Sequence, residues 1–134
     1  MKFVSKSILE TYALAKEVAK KLKGGEIITL EGDLGAGKTT FTKGLARALE
    51  VNEEILSPTF IMMREYKGKF TIYHYDLYRI TDEEELEELG IKENLYDDNS
   101  ISVIEWNKFK DLPKDPIKIK IKRIDDNTRS FEIK

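Results

Sequence analysis

The 134-residue sequence contains no cysteine and only one histidine, His74. The first absence excludes disulfides, thiolate metal centres and cysteine nucleophiles, and the second excludes a metal site built from several imidazoles. No apolar run approaches the roughly 18 to 20 residues that span a bilayer. Met1 to Glu10 lacks the apolar stretch of a signal peptide. A soluble cytoplasmic protein with no membrane partner is the simplest expectation. The formal net charge is -2, so no global basic field draws the chain to nucleic acid. Lys118, Lys120, Lys122 and Arg123 alternate along one strand-like stretch and read as a solvated face.

What remains suffices for one domain spanning residues 1–134: 40% of the residues are hydrophobic and 10% aromatic. Ser7-Ile8-Leu9-Glu10 has capping-box spacing, and Leu9, Tyr12, Ala13, Leu14, Ala15, Val18, Ala19 and Leu22 follow as a broad helical face ended by Gly24-Gly25. Glu26 to Glu31 is a short β-branched strand opening onto Gly32. Lys38 to Leu49 is helical again, and Val51 to Ser57 reads as a loop. Thr59 to Tyr66 and Phe70 to Asp76 are strand-like runs joined by Lys67-Gly68-Lys69. Thr81-Asp82-Glu83-Glu84 opens an acidic helix that stops at Gly90. Ile101 to Ile104 is a buried strand ending at Glu105. Ile117 to Ile121 and Arg129 to Ile133 suggest a terminal hairpin. The expected architecture is α/β, a three-layer P-loop-like fold with a mixed, partly parallel sheet and helices on both faces.

Gly32-Asp33-Leu34-Gly35-Ala36-Gly37-Lys38-Thr39 fits G-x-x-x-x-G-K-[ST] and lies between a hydrophobic strand and an amphipathic helix, the context this motif requires. Its glycines let successive N–H groups turn inward as an anion nest at a helix N-terminus. Lys38 would reach the β and γ phosphates and the Thr39 hydroxyl would ligate magnesium. A further acid at the end of a buried strand is needed for the metal. Asp76 and Glu105 both qualify, and the sequence does not choose between them.

The ordered words Gly32 to Phe41, Ser57-Pro58-Thr59-Phe60, His74-Tyr75-Asp76-Leu77-Tyr78-Arg79, Glu85 to Gly90 and Glu105-Trp106 resemble the TsaE (YjeE) family, small bacterial ATPases of tRNA threonylcarbamoyladenosine synthesis. The resemblance covers nearly the whole chain. It implies ATP and Mg2+ as cofactors, with Thr39, Glu105 and Asp76 at the metal and Lys38, Asp76, Glu105 and Thr59 as catalytic residues. Thr59 would be a switch threonine sensing the γ-phosphate. Asp33, Leu34, Gly35, Ala36, Gly37, Lys38, Thr39 and Thr40 would cradle the phosphates, Trp106 would pack near the nucleotide, and Thr11, Thr128 and Arg129 would approach base and ribose. The implied partners are TsaB and TsaD, a pair that ATP turnover would reset between catalytic cycles, with tRNA touched only through the complex.

Plainer readings stand beside these. Ser57-Pro58-Thr59 also fits an ordinary turn, Trp106 a core residue, and Asp82 to Glu88 a solvated helix face. His74 fits a strand histidine with a satisfied hydrogen bond. A small kinase would need a lid of clustered arginines, whereas Arg47, Arg64, Arg79, Arg123 and Arg129 are scattered. A GTPase would need N-K-x-D, and Asn107-Lys108-Phe109-Lys110 ends in lysine. A nucleotide-sensing scaffold with little hydrolysis shares the same loop and stays open.

Overall fold

The computed structural model describes residues 1–33, 35–56 and 62–134. Its elements run β1 (Lys2–Ser5), α1 (Ile8–Lys20), β2 (Ile27–Glu31), α2 (Lys38–Ala48), β3 (Met63–Lys67), β4 (Thr71–Asp76), α3 (Glu83–Leu89), a 3-10 turn (Lys92–Tyr96), β5 (Ser100–Glu105), β6 (Ile117–Arg123) and β7 (Arg129–Ile133). Seven strands form one sheet in the order β1-β7-β6-β2-β5-β4-β3. The four central strands β6, β2, β5 and β4 pair in parallel, and the outer strands pair antiparallel. The sheet is therefore mixed, as expected.

Strand alternation sends side chains to two cores. Ile28, Leu30, Ile72, Ile101, Val103, Ile119, Ile121 and Phe131 pack under α1 and α2. Ile27, Tyr73, Tyr75 and Ile104 pack under α3, the 3-10 turn and Phe109. Helices thus cover both faces, the three layers the pattern implies. In the second core the Tyr75 hydroxyl donates to the Ile91 carbonyl at 2.9 Å, and burial pushes its pKa well up.

Local signals placed most elements, with corrections at their edges. Ser7 caps α1 by accepting from the Glu10 amide at 3.1 Å, while Glu10 reaches back to the Lys6 amide instead of Ser7's. The buried face of α1 is narrower than its apolar content: Leu9 is 76% exposed and Ala13 is exposed, and Thr11 is buried in their stead. Only the stripe Thr11, Leu14, Ala15, Val18, Ala19 faces inward. The cap of α3 is Asp82, not Thr81, because its carboxylate accepts from the Glu85 amide; the Thr81 hydroxyl pairs with the Glu85 side chain. The strand expected from Thr59 is described from Met63 onward, and residues 59–61 lie outside the described residues. Strand β1 has no signal of its own, being four residues long and mostly exposed. It forms only because β7, distant in sequence, offers an edge.

Helices α1 and α2 approach closely at Gly44. A Cβ there would lie 2.8 Å from Tyr12 Cδ1 and 3.0 Å from Ala15 Cβ. Gly44→Val should therefore destabilise the fold by about 2 kcal/mol, the usual scale of overpacking. That should appear as a fall of roughly 8 °C in the thermal midpoint of this size of chain. An unchanged midpoint would mean that the two helices separate freely.

Candidate functional site

The site forms where β2 ends. Glycine at 37 has φ 110°, a conformation other residues adopt only under strain, and it starts α2 with no side chain capping the helix. The first amides of α2 are left for an external anion, reinforced by the helix dipole. Thr39 and Thr40 follow in the first turn, both half-buried.

The sheet sets two acids beside this loop. In the parallel register Leu30 of β2 is opposite Glu105 of β5, and Glu105 is opposite Asp76 of β4. Both carboxylates thus stand at the C-terminal ends of adjacent central strands, where α/β sheets carry their ligands. Both are buried. Asp76 accepts from the Tyr78 amide at 3.0 Å.

Lys38 links the loop to these acids. Its ammonium donates to the carbonyls of Gly32 and Asp33 and lies 4.1 Å from the centroid of the Trp106 ring, a cation–π contact. Burial lowers its pKa, while the charges of Glu105, Asp76 and Asp33 push it back up. Lys38, Glu105 and Asp76 therefore share one electrostatic neighbourhood. Trp106 holds its place with φ 56°, a strained value for a large side chain at the end of β5. The Trp106 ring also meets Tyr78 in an edge-type contact, ring centroids 4.9 Å apart.

Two hollows flank the loop. A cleft of about 220 Å³ is bounded by Thr11, Gly37, Thr40 and Arg129, with Ser5 and Ile8 closing it. The Thr11 hydroxyl shares a 2.7 Å hydrogen bond with Ser5 there. A wider groove on the opposite side runs past Asp33, Ala36 and Trp106. Thr11 and Arg129, 118 positions apart in the chain, thus meet at one cleft beside the loop. Thr128 sits in the β6–β7 turn, hydrogen-bonded to Asp125 and Ile124. Gly35 lies on the exposed side of the loop with φ 78°. Leu34 and the switch candidate Thr59, with Ser57, Pro58 and Phe60, lie outside the described residues.

His74 does make a satisfied hydrogen bond, and its partner is Glu105, Nε2 to Oε2 at 2.5 Å. The signal was available in the spacing of His74 and Asp76, two apart on one strand and so on the same side of the sheet.

Comparison with known proteins gives one consistent result. Residues 5–131 match the family model described as "Threonylcarbamoyl adenosine biosynthesis protein TsaE". The tRNA threonylcarbamoyladenosine biosynthesis protein TsaE of Bacillus subtilis is 44% identical over 125 residues, 91% of this chain and 77% of that one. Its namesake from Aquifex aeolicus is 42% identical, covering 99% of this chain and 98% of its own. That of Treponema pallidum is 36% identical over 99% of both. The crystal structure of Bacillus subtilis YdiB superposes with a TM-score of 0.82 at 34% identity, covering 99% of this chain and 83% of that one.

Proposed function

The chain belongs to the TsaE family of threonylcarbamoyl adenosine biosynthesis proteins, and from that premise we propose that it is the ATP-hydrolysing subunit of the machinery that makes threonylcarbamoyladenosine in tRNA. Its work is to reset a TsaB–TsaD pair between cycles, in the cytoplasm and as one domain, with tRNA reached only through that complex. The observation that carries the reading is the convergence of Lys38, Glu105 and Asp76 at the uncapped start of α2.

The residues divide the work as follows. The amides of residues 35–40 and the Lys38 ammonium hold the triphosphate, and the cleft at Thr11, Thr40 and Arg129 takes ribose and base. Two buried carboxylates in register, with the Thr39 hydroxyl following Lys38 at the start of α2, suit magnesium, which takes one or two carboxylates and keeps its remaining places for water and phosphate. A bound Mg2+ would neutralise charge on the β and γ phosphates. Asp76 or Glu105 orients the attacking water. Once the γ-phosphate leaves, contacts that ordered a neighbouring segment are lost, which is how such proteins signal to a partner. The segment around Thr59 is the candidate for that role.

The test is magnesium-dependent ATP hydrolysis by the purified chain, alone and with the TsaB–TsaD pair. Slow turnover alone, rising at least tenfold with the pair, is the expected result. Binding of ATP with no turnover in either setting would favour a nucleotide-sensing scaffold. Absence of both binding and stimulation by the pair would remove the proposed partners.

A further inference from the structure

His74 occupies a position where packing alone would place an apolar residue. It is fully buried on β4, on the same side of the sheet as Ile72, which lies in the core beneath α1 and α2. Burying an imidazole there is costly unless its polar atoms are engaged. Yet only one of them is: Nε2 meets Glu105, while Nδ1 has no hydrogen-bond partner among the described residues. The half-satisfied ring is poor packing chemistry, and its single contact falls on an acid at the site.

The backbone of the same segment grips Glu105 a second time. The Leu77 amide donates to the Glu105 carbonyl at 3.1 Å, and Asp76 stands opposite Glu105 in the ladder. Glu105 is thus held at its carboxylate by His74 of β4 and at its main chain by Leu77 just beyond it, on either side of Asp76. A glutamate carries three rotatable bonds, so without such a clamp it would sample several orientations at the end of β5.

We propose that His74 is the positioning residue for Glu105: its ring N–H holds the carboxylate in the one orientation that meets the magnesium of bound Mg-ATP. The inference rests on the Mg-ATP reading above. Ligands of metals are commonly held this way by a neighbouring donor, and removing that donor weakens metal affinity by about 10- to 100-fold.

His74→Asn and His74→Gln separate positioning from mere stability. The asparagine amide fills the place of Nδ1 and falls short of Glu105, whereas the glutamine amide reaches the place of Nε2. Nucleotide binding is read by the fluorescence of the single tryptophan, Trp106, first in EDTA and then along a magnesium titration. In His74→Asn the magnesium concentration for half-saturation should rise at least tenfold, ATP affinity in EDTA staying within twofold of the wild type. His74→Gln should recover it to within threefold. A magnesium titration in His74→Asn that overlays the wild type overturns the proposal. So does an equal loss of ATP affinity in EDTA, or a folded His74→Gln that titrates like the asparagine variant. If the wild type itself binds no ATP in EDTA or magnesium, the Mg-ATP reading fails instead, and the two failures are thereby distinct.

Discussion

Lys38→Ala should lower ATP affinity by roughly 10- to 100-fold, the scale of one charge-assisted hydrogen bond, and reduce turnover by on the order of 100-fold or more, as loss of one transition-state donor does. The fold should survive. Among the described residues the Lys38 ammonium hydrogen-bonds to loop carbonyls and lies on an aromatic ring, while His74 and the Tyr78 amide still hydrogen-bond the Glu105 and Asp76 carboxylates after its removal. In the free protein the ammonium is committed to Gly32, Asp33 and Trp106. To meet a phosphate it must give up some of these contacts, and the Trp106 ring then loses its cation. ATP should accordingly change the emission of Trp106 in the wild type, and that change should shrink in Lys38→Ala even at saturating nucleotide. Tight binding and full turnover in the variant would mean that residues 32–39 do not cradle a triphosphate.

The second large effect concerns the paired acids. Glu105→Gln and Asp76→Asn keep the shape of each side chain, and each amide oxygen can still accept from His74 or from the Tyr78 amide. What they remove is charge. Magnesium-dependent turnover should fall by on the order of 100-fold or more in each, since metal and water positioning both need the anionic oxygen. Thermal stability should move the other way or not at all. Adjacent strands lie about 4.8 Å apart, so two buried carboxylates in register repel, and the nearby Lys38 cation offsets part of that repulsion. Neutralising one acid relieves that strain, the familiar opposition between a working site and a stable one. Assays of turnover beside thermal melts decide it. Full turnover in both variants removes the catalytic roles assigned to Asp76 and Glu105, and a marked loss of stability in both makes them structural.

Much of this molecule was legible in the chain because its signals are local. The phosphate loop is a run of eight residues whose glycines, lysine and threonine each answer one geometric need. The Ser7 cap, the Gly90 stop of α3 and the alternation of Ile117 to Ile121 are equally short-range. Together with the ordered motifs shared with TsaE, they determined the fold class, the position of the candidate phosphate loop and the two acids worth considering.

Strand order was beyond reach, and the site depends on it. Pairing of β2 with β5 and of β5 with β4 brings Leu30, Glu105 and Asp76 into line across 75 residues of chain. Nothing in 30, 76 or 105 considered separately announces that register. The tie between His74 and Glu105 and the seat of Lys38 on Trp106 follow from it, while the meeting of Thr11 with Arg129 at one cleft depends on the pairing of β7 with β1 and β6. Strand β1 likewise depends on distant pairing, since its four residues become a strand only against β7. Periodicity and capping are set by neighbours within about four residues along the chain. Ladder pairing instead joins residues by burial and hydrogen bonding across the whole fold, and only the assembled sheet decides which of them touch.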